Sequence, residues 1–132
     1  MRTRHTAAIA ATMLLALTTA CTGSDDTADT KTEPAKVPPY EIVQQDDSGN
    51  QREIVVEVDS TKGLKTIFED VAKDLTEEAG YFITINCASG GSDAADNRLA
   101  NGRKAVGAMG AAATGMDEGA TEYEPVKGAT CP

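Results

Sequence analysis

The chain has no tryptophan, two phenylalanines, three tyrosines, three cysteines and a single histidine in 132 residues. Each shortage excludes something. So few large aromatics leave little to fill a core, and a small domain of this kind usually needs a covalent staple. The histidine is His5, at the extreme start, so a serine–histidine–aspartate arrangement or a histidine-ligated zinc is excluded from everything downstream. Long apolar runs are missing too. The longest, from Ala7 to Leu17, is interrupted by Thr12 and falls short of the about 20 residues that a bilayer-spanning helix needs. Basic residues number 12 against 21 acids, and the tightest cluster is only Arg98, Arg103 and Lys104. Nucleic-acid binding draws its affinity from Lys and Arg on phosphates, so no nucleic-acid partner is expected.

What is present at the start has the layout of an export signal: Arg2 and Arg4, the apolar run, then small residues. Leu17-Thr18-Thr19-Ala20-Cys21 resembles a bacterial lipoprotein signal with its lipobox. The resemblance implies cleavage after residue 20, a lipid on the Cys21 thiol, acylation of the new amino terminus by a fatty acid such as palmitate, and residence on the extracytoplasmic face of the cell membrane. It departs from the family at Thr18, where a leucine or similar is preferred; Leu17 sits one place too early. The alternative is an ordinary secretory signal, with Cys21 a spare thiol in a released protein. Removal of residues 1–20 takes Arg2 and Arg4 and leaves 10 basic against 21 acidic residues, a net charge of −11. An anionic lipid surface would repel such a chain, so the lipid must hold the membrane contact, which two or more acyl chains do stably.

Lipidation of Cys21 also accounts for an odd cysteine count and leaves Cys87 and Cys131 to pair in an oxidising compartment. A closure of about 45 residues is worth about 4 kcal/mol by chain entropy. Otherwise Cys87 is a small buried apolar residue and Cys131 a tail thiol. With the first cysteine acylated and the others bonded, no thiol nucleophile remains.

Residues 21–51 are rich in Thr, Asp, Lys and Glu, with Pro34, Pro38 and Pro39, and read as a flexible tether that cannot bury enough apolar surface to order itself. Tyr40-Glu41-Ile42-Val43 is its apolar exception, an edge strand or a loose arm, and the arm is the preferred reading. Asp46-Asp47-Ser48-Gly49-Asn50 lacks the acid spacing and closing glutamate of a calcium loop and reads as a solvated turn. A folded domain is expected over 52–132. Ile54, Val56 and Val58 alternate as a strand. Ser60 or Thr61 can cap a helix whose Leu64, Ile67, Phe68, Val71, Ala72 and Leu75 form one stripe, with Gly80 as its left-handed end and Glu69 to Glu78 as a solvated face. Tyr81-Phe82-Ile83-Thr84-Ile85-Asn86-Cys87 is a second strand, with Tyr81, Ile83, Ile85 and Cys87 facing the helix; strand, helix and strand make a crossover unit with parallel strands. A polar loop over 88–102 and a third strand over 103–113, thinned by Gly107 and Gly110, complete the expectation, with 115–132 mostly loop. The expected fold class is therefore α+β: a small β-α-β-β domain, one amphipathic helix on a three-stranded sheet, preceded by a signal peptide and a disordered tether.

Little in this points to catalysis. Ser60, Ser89 and Ser92 have no lysine or elbow context, and Gly90-Gly91-Ser92 is a flexible loop before it is a phosphate cradle. Asp93 and Asp96 are a candidate carboxylate pair, outweighed by the reading of two solvated acids. Tyr81 and Tyr123 read as half-buried packing residues. No cofactor or metal is implied. The loop 88–102, about 15 residues, is long for a compact domain, and such loops are functional or disordered, with nothing here to separate the two. Its Asp93, Asp96, Asn97 and Arg98, with backbone donors at Gly90 and Gly91, form a candidate interaction site for a polar partner such as a peptide or a glycan stem.

Tyr81 to Cys87, Asp96-Asn97-Arg98-Leu99-Ala100-Asn101-Gly102 and the closing Thr130-Cys131-Pro132 resemble small lipoproteins of actinobacteria, especially streptomycetes, over roughly Ile54 to Pro132. That group has no assigned activity. The resemblance implies export, a lipid anchor and a disulfide frame, with no catalytic residue to carry over. The sequence thus points to a non-enzymatic, anchored binding or interaction module whose partner is an envelope protein or a cell-wall component. Its alternatives are an accessory subunit of an envelope complex and a small hydrolase with an unrecognised site.

Overall fold

A computed structural model describes residues 36–92 and 95–132. The signal peptide, Cys21, the 21–35 part of the 21–51 segment and Asp93 lie outside the described residues. The described chain is a five-stranded sheet with two helices, in the order β1 (Glu41–Asp46), β2 (Gln51–Val58), α1 (Leu64–Lys73), β3 (Ala79–Ser92), β4 (Ala95–Val106), α2 (Gly107–Thr114) and β5 (Thr121–Pro125). The expected three-stranded sheet with one helix is therefore corrected: two strands lie in stretches too polar and exposed to show an apolar alternation, and a second helix lies where a strand was expected.

Strands lie side by side in chain order, β1-β2-β3-β4-β5. β2 and β3 are parallel, joined through α1 as the crossover pattern requires, and the other neighbours are antiparallel. Tyr40 to Val43, preferred above as an arm, leads into edge strand β1, which hydrogen-bonds to β2 along Glu41–Asp46. All six of its residues are exposed, so burial leaves no periodic signature in its sequence. The turn after it is solvated. Asp46 Oδ1 accepts from the Ser48 amide at 2.9 Å and from Ser48 Oγ at 2.6 Å, and Gly49 supplies φ 70°.

One face of the sheet is closed by α1. Leu64, Ile67, Phe68, Val71 and Ala72 bury the helix stripe against Ile54, Val56 and Val58 of β2 and Tyr81, Ile83, Ile85 and Cys87 of β3. The helix starts at Leu64 without a side-chain cap, because Ser60 Oγ is occupied by the Lys62 amide. It ends at Asp74, and Gly80 is a strand residue, not the cap. Lys104 places its charge at the helix end instead, donating from Nζ to Ala72 O at 2.6 Å and to Leu75 O, just past the helix, at 2.8 Å.

α2 packs beside the start of β3 and the end of β4 on the sheet's other side. Gly80 is needed there for space: a Cβ would lie 2.7 Å from Ala113 Cβ. Gly110 likewise lets the helix backbone approach Ala79 O, 2.4 Å from where a Cβ would be. The expected strand over 103–113 is thus split. It ends at Val106, Gly107 turns the chain at φ 65°, and Gly-Ala-Met-Gly-Ala-Ala-Ala-Thr continues as helix.

Candidate functional site

Of the four residues nominated for an interaction loop, Asp96, Asn97 and Arg98 are described, and they lie on one strand, β4. Residues 88–102 belong to a hairpin, with β3 running to Ser92 and β4 resuming at Ala95, so the long loop is corrected to strand. Asp93 falls outside the described residues, and Asp96 is exposed on β4. Asn97 is committed internally: its Nδ2 donates to Ser89 O at 3.1 Å and Thr130 O at 2.8 Å, clipping the C-terminal segment to the hairpin. Cys87 and Cys131 are bonded, with their Cα atoms 5.4 Å apart, and fasten the same segment one step further along. Of the three described residues, Arg98 lines a concave surface.

That surface is the part of the sheet's second face that α2 leaves uncovered. Because side chains alternate along a strand, residues in register share a face. Asp46, Glu53, Phe82, Arg103 and Glu122 form one row across β1 to β5, and Gln44, Val55, Thr84, Asn101 and Glu124 form the next. A third row, Glu41, Glu57, Asn86 and Arg98, stops at β4. Between β2 and β5 the first two rows, with Arg98, enclose an open groove of about 330 Å³. Phe82 and Thr84 line its middle, with acids at the margins.

Its electrostatics are uneven. Arg103 ion-pairs with Glu122 and donates to Thr114 O at 3.2 Å, fixing its guanidinium between β5 and α2. Arg98 is exposed and has no ion pair among the described residues. The Asp46 carboxyl is held below its ordinary value by the Ser48 hydroxyl and then the Ser48 amide, so it is firmly ionised. Asn86 is only 2% exposed, and its Oδ1 has no hydrogen-bond partner among the described residues. An orphaned buried acceptor of this kind calls for an explanation.

The arrangement offers charge, amide and aromatic contacts for binding. Among the described residues no group of three His, Cys, Asp or Glu could hold a metal ion, and no helix is long and apolar enough to cross a membrane. Sequence reasoning reached Arg98 but missed its companions, because the face is defined by cross-strand register rather than by neighbours along the chain. Compared with known proteins, the chain matches no family model, no curated protein and no solved structure at a significant level.

Proposed function

We propose that this protein is a lipid-anchored, extracytoplasmic binding module whose recognition surface is the uncovered face of its sheet. The observation that carries the reading is the asymmetry of that sheet: α1 buries one face over β2, β3 and the middle of β4, whereas the other keeps an open polar groove. The described residues just before β1 pack on the closed side, with Pro38 against Gly63 and the Tyr40 hydroxyl on Asp70. The Cys87–Cys131 bond uses two of the three cysteines and suits an oxidising compartment, which leaves Cys21 as the lipid acceptor. The actinobacterial lipoprotein resemblance supports the same address.

Two measurements on cells expressing the full chain test this. Metabolic labelling with a fatty acid should mark the wild type and not Cys21→Ala, and the anchored protein should retain a defined envelope component that Phe82→Ala retains poorly. An unlabelled protein released to the medium contradicts the anchor. A labelled protein that retains nothing contradicts the binding role.

A further inference from the structure

Acids on the two sides of this molecule are treated differently. On the α1 side Glu69, Asp70 and Glu77 each have a cation, from Lys65, Lys73 and Arg52. On the open face only Glu122 does, through Arg103. Glu41, Asp46, Glu53, Glu57 and Glu124 have no ion pair among the described residues. Moreover, Glu41 stands directly opposite Glu57, and Asp46 directly opposite Glu53. Like charges opposed across neighbouring strands destabilise a sheet. Asp74 at the end of α1 also has no ion pair among the described residues, but it faces no acid across a strand, whereas the open face keeps two directly opposed acid pairs without a cation, charge held for something outside the chain.

Between the acidic margins the face is neutral and partly apolar, with Phe82 and Val55 half-buried at its centre. Asn86 adds a second, independent sign of a missing partner: on the same face, nearly fully buried, it has an acceptor oxygen with no donor among the described residues. We propose that this face docks a cationic, extended segment of a partner protein, its lysine or arginine side chains on the acidic margins and its apolar side chains over Phe82 and Val55. The proposal deepens the binding role and rests on it. Size favours a polypeptide. Four strand spacings separate the β1 margin from the β5 margin, about 19 Å, which a single amine or a metal ion cannot bridge but about six residues of extended chain can. Arg98 is the exception in sign. It stands at one corner of the face, where it disfavours a cation and so gives the segment a direction.

The test is calorimetric titration of the purified full chain with a short peptide alternating lysine and valine, and with its glutamate–valine counterpart, at physiological salt. The lysine peptide should bind and the glutamate peptide should not. Removing four of these five charges and leaving Asp46 to its turn (Glu41→Gln, Glu53→Gln, Glu57→Gln, Glu124→Gln) should weaken binding by about tenfold or more, while removing four acids elsewhere (Glu69→Gln, Asp74→Asn, Asp117→Asn, Glu118→Gln) should change it by less than about twofold. The first variant should melt no lower than wild type, because opposed like charges have been relieved, so lost binding is not lost folding. Equal weakening by both variants overturns the proposal, since net charge alone would then be responsible. So does equally tight binding of a single lysine amide, which would make this a small-cation site. The two readings fail separately: an anchored protein that retains no envelope component refutes the binding role, whereas one whose retained component is indifferent to the four-charge variant refutes only the cationic segment.

Discussion

Gly102 shows how much of this fold depends on one missing methyl group. It lies in register between Ile83 and Tyr123, and the Phe68 ring covers it so closely that a Cβ would sit 2.3 Å from Phe68 Cε2. Phe68 also meets Tyr123 with ring centroids 5.6 Å apart, so the ring has little room to retreat. Gly102→Ala should therefore cost about 1–3 kcal/mol by overpacking. Thermal melts should show a drop of about 4–8 °C for each kcal/mol in a domain of this size. In a Phe68→Leu background the same substitution should cost clearly less; an unchanged cost would mean that the ring is not what Gly102 accommodates. Tyr40 makes the second residue-scale case. Burial first, then its hydrogen bond to Asp70 at 2.8 Å and the charges of Asp70 and Asp74, push the phenol up to about 12. The folded arm holds the neutral phenol, so its contribution is whole below the ordinary value of 10.0 and is lost as pH rises toward about 12. Burial raises Tyr123 as well, so a tyrosinate absorbance titration should show more than one delayed step, of which Tyr40→Phe deletes the one at about 12, together with faster proteolysis of the segment before β1. Loss of an ordinary step instead would show that the arm does not shelter this hydroxyl.

At the scale of elements, the C-terminal segment is held from two directions: the Cys87–Cys131 bond and the Asn97 amide on Thr130 O. Replacing both cysteines by serine should cost about 2–4 kcal/mol. Hydrogen exchange should rise first over 126–132 and the 88–97 end of the hairpin, while β2 and α1 stay protected; uniform loss would show that the bridge staples the whole core. These elements also show what the sequence could and could not reveal. β2, α1 and the first half of β3 were legible because Ile54/Val56/Val58, the Leu64–Ala72 stripe and Tyr81/Ile83/Ile85 each bury one face and so carry periods of 2 and 3.6. β1 and residues 88–92 bury neither face, and burial is what writes periodicity into a sequence. α2 contains only glycine, alanine, methionine and threonine, which have no polar face to mark either period, so tertiary packing at Gly80 and Gly110 decides its form. The candidate site was illegible for a related reason. Glu53, Phe82, Arg103 and Glu122 are far apart in the chain and meet only once the register is set.

As a whole, the molecule is a sheet with one closed and one partly open face, and its charge follows that division. The cations on the closed side serve the fold: Lys104 ends α1, and Arg52 lies 5.6 Å from the centroid of the Tyr81 ring while pairing with Glu77. On the open face Asp46 holds a turn and Glu122 holds Arg103, but Glu41, Glu53, Glu57 and Glu124 have no ion pair among the described residues, which is why that face carries the functional reading. Its most direct test is site-specific photo-cross-linking in intact cells, with the reactive group placed at Phe82 on the open face or at Glu69 on the outer side of α1. A discrete protein adduct from position 82, with none from position 69, is the result expected of a module that binds through its uncovered sheet. Adducts from position 69 alone, or none from position 82, would contradict it.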